Sequence, residues 1–145
     1  MAKILERALA VKRGELPPPP VARLIGFRII DVAVGEAVME LEADERHANP
    51  MGTLHGGILC DVGDAAMGTA FATTCTDQES YATIELTCNF LRPVWKARLT
   101  ARAKVIHRGK TIGLAECEIT DERSHLIAKL SSTLTVLRGE AAKGR

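Results

Sequence analysis

Hydrophobic positions recur at helical spacing in two stretches of this chain and at every second position elsewhere. Residues 2–13 place Ile4, Leu5, Ala8, Leu9 and Val11 at intervals of three and four, which predicts a short surface helix. Four prolines at 17–20 then stop the helix and enforce an extended connector; an SH3-type ligand is the rarer reading. Residues 26–34 and 36–43 read as two strands joined at Gly35, with Ala37, Met39, Leu41 and Ala43 on one face of the second. Residues 44–53 form a polar loop with a turn signal at Asn49-Pro50-Met51-Gly52. Residues 54–73 read as a long helix, apolar nearly all round and thinned by Gly56, Gly57, Gly63, Gly68 and an alanine-rich end. Beyond it the period falls to two. Over 81–91, Ala82, Ile84, Leu86, Cys88 and Phe90 alternate with Thr83, Glu85, Thr87 and Asn89. Strands at 99–107, 111–120 and 125–137 follow, joined by turns at Arg108-Gly109-Lys110 and at 121–124.

One-faced alternation implies antiparallel strands with a wet face and an apolar face that must be covered. The long helix is the only large apolar partner, so the expected class is α+β: an antiparallel sheet wrapped around one long central helix. Each glycine weakens that helix by about 1 kcal/mol relative to alanine, so packing must compensate, and the missing side chains let neighbouring backbone approach. The expected organisation is an N-terminal helix and Pro-rich linker over 1–20, a single domain over 21–139 and a polar, frayed tail over 140–145.

With 145 residues and 46% hydrophobic content the chain can fill one core, and 3% aromatic content makes that core aliphatic. A net charge of +1 without a basic run argues against nucleic acid as a partner. Cys60, Cys75, Cys88 and Cys117 are widely spaced with no CxxC pair, so no zinc site is expected. Residues 1–12 are too charged for a signal-peptide core, and no apolar run is long enough to span a bilayer. The expectation is a cytoplasmic protein with no membrane partner.

The chemistry concentrates in His47–Met67. Asp64 lies nine residues after His55 among Val62, Ala65, Ala66 and Met67, where a carboxylate should lose water; a chain that keeps a charge there often uses it. The bland alternative is a surface aspartate paired with a cation. Asp61 is a second site group or, in the favoured reading, an acid near the positive end of the helix dipole. His55-Gly56-Gly57 sits where the helix begins, and free N–H groups there can hold a developing negative charge. His55 also fits a plain capping role. A base and an oxyanion donor on one helix make a minimal kit for acyl-transfer hydrolysis. His47 is read as solvated, and His107 and His125 have no metal-site spacing. The chain has no G-x-S-x-G elbow and no nucleotide-binding glycine loop, and Cys60 has no visible activation. Arg108 and Lys110 place two cations at one turn and Arg92 ends a neighbouring strand; they are solvated turn residues or a docking point for a phosphate-bearing ligand.

Asn49-Pro50-Met51-Gly52-Thr53-Leu54-His55-Gly56-Gly57 followed by Asp64, with Asn89-Phe90-Leu91-Arg92-Pro93 and Arg108-Gly109-Lys110, resembles the PaaI-type acyl-CoA thioesterases of the hotdog-fold superfamily. The likeness runs from about Gly26 to Leu137 and leaves the N-terminal helix and prolines outside. It implies a hotdog fold and hydrolysis of an acyl-CoA, with an aryl-acetyl or medium-size acyl group. No metal and no cofactor is implied, since CoA is part of the substrate. It further implies Asp64 as general base or nucleophile, Gly56 N–H polarising the carbonyl, His55 and Asn49 orienting substrate or water, and Thr83 positioning water. Asn49 would come from the subunit opposite Asp64. Gly57, Arg92, Arg108 and Lys110 are the candidate substrate- and CoA-binding positions. Relatives commonly have a neutral residue at the place of Asp61. The implied assembly is a homodimer with interface active sites, paired into a dimer of dimers; the strand at 81–91, with no proline until its end, is the edge expected to meet its twin. The rival readings are a hotdog protein that binds acyl-CoA without turnover, and a hydratase or dehydratase.

Overall fold

The computed structural model describes residues 3–144. The expected helix at 2–13 begins on a residue outside that range and is seen as α1 (Lys3–Lys12); the expected tail likewise ends outside it. Then follow α2 (Pro20–Ile25), β1 (Arg28–Ala33), β2 (Glu36–Ala43), α3 (Gly56–Ala72), β3 (Glu79–Phe90), β4 (Ala97–Arg108), β5 (Ile112–Thr120) and β6 (Leu126–Arg138). All strand pairs are antiparallel, in the order β1-β2-β4-β5-β6-β3, and α3 packs against the sheet. This is the sheet around a central helix that the alternation implied.

Packing replaces the helix propensity that α3 lacks. A Cβ on Gly63 would stand 2.4 Å from Leu130 Cδ2, and one on Gly68 would stand 2.5 Å from the Tyr81 hydroxyl. Side chains from the sheet, rather than backbone as expected, occupy the space. The sheet does not enclose the whole helix. Val62, Ala66, Met67, Ala70 and Phe71 are buried, whereas Asp61 is exposed and Asp64, Ala65 and Thr69 are half-buried. The open stripe therefore carries both carboxylates.

Two local expectations need correction. The prolines do not form an extended connector throughout: Pro20 is the first residue of α2, where its fixed φ suits the helix and its missing N–H costs nothing. His47 is not solvated. It is 7% exposed, its Nε2 lies 2.7 Å from the Ile25 carbonyl and its Nδ1 accepts from Asp44 N at 3.1 Å. It ties a short 3-10 turn (Glu45–His47), capped by Asp44, to the end of α2. The helix α1 is the expected surface helix, and its apolar face places Leu5 and Ala8 in the common core. The C-terminal residues Gly139–Ala142 form an exposed 3-10 turn.

The strand expected at 81–91 does not alternate strictly. Its register with β6 shifts between Thr83 and Glu85, so that Ile84 is an extra, bulged residue. Tyr81 pairs with Val136 and Thr83 with Leu134, while Leu86 pairs with Ser132 and Cys88 with Leu130. The β6 partners Leu130, Ser132, Leu134 and Val136 are all buried beneath the helix. The bulge thus turns Thr83 onto the helix-facing side, where strict alternation had set it among Glu85 and Thr87. Ser132, fully buried, donates its hydroxyl to the Glu85 carbonyl at 3.0 Å beside the bulge.

Ser132→Ala removes the donor from the Glu85 carbonyl at the bulge. Urea unfolding should show a loss of about 0.5–1.5 kcal/mol, and an unchanged midpoint would mean the hydroxyl does not stabilise the register. Tyr81 gives a second test. Burial, reinforced by the Asp64 charge, pushes its phenol up from 10 to about 12. The folded state keeps Tyr81 neutral where the unfolded chain would ionise it, so the stabilising contribution is complete below pH 10 and lost between pH 10 and about 12. Wild type should lose about 2–3 kcal/mol more over that interval than Tyr81→Phe; parallel alkaline profiles would contradict this.

Candidate active site

The start of α3 is fixed from three directions. Leu54 N donates to Val94 O at 2.7 Å, and His55 N donates to His47 O at 2.9 Å, so the buried imidazole of residue 47 and the chain entering the helix share one anchor. His55 is the N-cap in extended conformation, and its Nδ1 accepts from Gly57 N at 2.9 Å. That bond uses the Gly57 N–H and leaves His55 Nε2 outward. Among the described residues the Gly56 N–H has no acceptor in the chain. It is a free donor at the positive end of a helix 17 residues long. Neither glycine adopts a positive φ. Side chains approach both closely: a Cβ on Gly56 would meet the Phe90 ring at 2.8 Å, and one on Gly57 would meet the His55 ring at 2.9 Å, so a larger residue would need these rings to move aside. A groove of about 470 Å³ opens here, bordered by Thr53, Gly56, Phe90 and Arg92.

Asp64 lies further along the open stripe. Thr83 Oγ1 donates to its Oδ1 at 3.1 Å, a contact that the bulge makes possible. Tyr81 reaches across Gly68 on the same side. Asp61 is exposed and has no ion-pair partner among the described residues. Asp64 follows Gly56 by eight positions, about 12 Å along the axis at roughly 1.5 Å per residue. Within one chain the Gly56 N–H and the Asp64 carboxylate are therefore too far apart along the helix to reach the same carbonyl.

Asn49 braces its own turn. Its Oδ1 accepts from Met51 N at 2.9 Å and its Nδ2 donates to Thr53 Oγ1 at 2.7 Å, leaving one amide N–H for any ligand. The expected cluster of cations is dispersed. Arg92 borders the groove at the start of α3, whereas Arg108 sits at the other end, where its guanidinium donates to Glu79 at 2.8 Å and to Thr74 at 3.1 Å and lies over the Phe71 ring at 5.3 Å. From Gly56 to Phe71 the helix runs about 22 Å. Arg108 is thus engaged in structure, Lys110 beside it is exposed, and neither joins Arg92 in one chain. Burial, with Cys60 alongside, pushes the Cys88 thiol up to about 12, which removes it as a nucleophile at neutral pH. No group of His, Cys, Asp and Glu among the described residues could hold a metal ion.

Sequence reasoning missed Phe90 and Tyr81 as walls of this region. Their glycine partners Gly56 and Gly68 were the available signal, but the pairing depends on the strand register.

The family model of the thioesterase superfamily matches residues 51–128. The chain is 34% identical to acyl-coenzyme A thioesterase PaaI of Escherichia coli over 74% of its own length and 75% of that protein. It is 33% identical to 1,4-dihydroxy-2-naphthoyl-CoA hydrolase of Listeria monocytogenes, over 77% of its length and 91% of the relative. The solved structure of the E. coli PaaI protein from the phenylacetic acid degradation operon superposes with a TM-score of 0.81 at 25% identity, covering 94% of this chain and 98% of that one. The fold, the helix start and the matched segment agree: this chain belongs to the thioesterase superfamily, as a hotdog-fold thioester hydrolase of the PaaI type.

Proposed function

We propose that the protein hydrolyses acyl-CoA thioesters to free acid and CoA at sites built across a two-fold dimer. The observation that carries this reading is the roughly 12 Å between the free Gly56 N–H and Asp64 on one helix. One protomer supplies the helix start, with Gly56 as donor to the thioester oxygen and His55 and Asn49 beside it. The other supplies Asp64, held by Thr83. A backbone N–H there stabilises the charge that the oxygen gains during attack, an effect typically worth about 3 kcal/mol. Thr83 occupies Oδ1 and leaves Oδ2 free to take a proton from water or to attack the carbonyl itself, so Asp64 serves as general base or nucleophile. The CoA thioester as substrate class is supported by the two relatives whose names specify it. Arg92, at the groove beside Gly56, fits the CoA phosphates; Lys110, and Arg108 if Glu79 releases it, would have to reach them from the second chain.

The dimer reading rests on β3. It is the last strand of the sheet, and among the described residues nothing pairs with its outer edge. Ile84 and Phe90 on it are each 57% exposed. An open strand of 12 residues with exposed apolar side chains invites pairing with a second copy. The pairing of two dimers into a tetramer is the further assembly implied by the family likeness.

Asp64→Asn should fold normally and lose at least about a hundredfold in kcat on a hydrolysed acyl-CoA, while Asp61→Asn stays near wild type. The opposite ranking would assign the base to Asp61, and binding without thiol release in wild type would leave an acyl-CoA-binding protein. Light scattering should give a dimer or tetramer at micromolar concentration; a monomer that retains full activity would reject the shared site.

A further inference from the structure

The N-terminal segment lies outside the matched family segment, and it roofs a second cavity of about 370 Å³. Val11 at the end of α1, Pro18 and Pro19 in the connector and Val21 in α2 form one wall. Met39, Ala65 and Tyr81 also line the cavity. Ala65 is the residue after Asp64, and Tyr81 is near enough to Asp64 for the carboxylate charge to bear on its phenol. The segment is held in place at both ends: Lys3 N donates to Asp77 Oδ1 at 3.1 Å, and the buried Ala22 secures α2 against the core.

The cavity is apolar in its chemistry. Its two cations are already used, Lys12 by Asp31 at 3.0 Å and Arg28 by Glu40 at 2.6 Å. No free charge is left to receive a carboxylate at the far end of a ligand. The volume falls at the lower end of the range of about 300–1,000 Å³ for small-molecule sites. We infer that this cavity takes the acyl group of the substrate, an uncharged apolar chain of medium length, and that Val11 and the Pro18–Val21 stretch set the longest chain accepted. The inference rests on the proposed reading of Asp64 as the catalytic carboxylate, because Asp64 immediately precedes the lining residue Ala65 and that reading brings the thioester close to the cavity. It gives the N-terminal helix and the prolines a role in specificity.

The test uses non-hydrolysable S-alkyl-CoA thioethers from S-ethyl to S-dodecyl, with binding to the full chain measured by calorimetry. Each added methylene should tighten binding by about fourfold until the cavity is full. Val11→Trp should weaken S-octyl-CoA by at least about tenfold, the loss of two or more buried methylenes, and leave S-ethyl-CoA unchanged. Val11→Ala, which keeps helix propensity, should move the length at which the gain stops to a longer chain; it serves even if the tryptophan variant fails to fold. Affinity independent of chain length, equal effects on S-ethyl and S-octyl, or a plateau unmoved by Val11→Ala would each overturn the inference. Hydrolysis of acyl-CoAs is measured separately. Length-dependent binding without hydrolysis would remove the catalytic reading and keep the pocket, and hydrolysis without length dependence would do the reverse.

Discussion

The structure depends on how closely a weak helix can be held by its sheet. α3 carries Gly56, Gly57, Gly63 and Gly68, and its intrinsic helicity is poor. Leu130 and Tyr81 enter the spaces left at Gly63 and Gly68, and Phe71 of the helix lies so close to Gly113 that a Cβ there would be 2.0 Å from the ring. These contacts fix the helix both along and around its axis. The rotation decides which residues face the sheet and which stripe stays open. Because Val62, Ala66 and Phe71 must be buried, Asp61, Asp64 and Ala65 are left on the open side. The carboxylate is presented by the same packing that makes the fold stable.

A second constraint sets what Asp64 meets. The extra residue Ile84 reverses the facing of β3 halfway along its length. Tyr81 and Thr83 before the bulge, and Leu86 and Cys88 after it, then share the helix side. Without the bulge Thr83 would face away with Glu85, and Asp64 would lose its hydroxyl partner. Ser132 stabilises this irregularity from the neighbouring strand. The bulge also lies on the strand whose outer edge is open, so the local geometry of the carboxylate and the proposed subunit contact share one element.

Much of this was legible in the sequence, and the parts that were not have a common cause. The period change from helix to strand located α3 and the strands, and one-faced alternation implied a sheet around a helix. His55-Gly56-Gly57 and Asp64 were found from local chemistry alone. The errors arose where a partner is distant in sequence. His47 is buried because Ile25, 22 positions earlier, accepts its ring nitrogen. Arg108 is held by Glu79, Thr74 and Phe71, none of them near it in the chain. The facing of Thr83 is set by a register with β6 that no pattern within 81–91 reveals. Pro20 was misplaced for a local reason: a proline that ends one pattern can also begin a helix. The cavity beneath the N-terminal segment combines residues from three helices, the connector and three strands, so no single stretch announces it.

The central claim is that each site takes its oxyanion donor from one chain and its carboxylate from another. Gly56→Pro removes the donor with little disturbance, since proline is favoured at the first helical position and His55 already has the extended conformation that a following proline requires. Phe90, which the new ring would meet, is largely exposed and free to yield. Gly56→Pro and Asp64→Asn subunits, each inactive alone, would be unfolded together, refolded as a mixture and assayed for thiol release. Random pairing gives mixed dimers with one intact site, and roughly a quarter of wild-type activity should return. Activity no greater than that of the two separate variants would contradict the account.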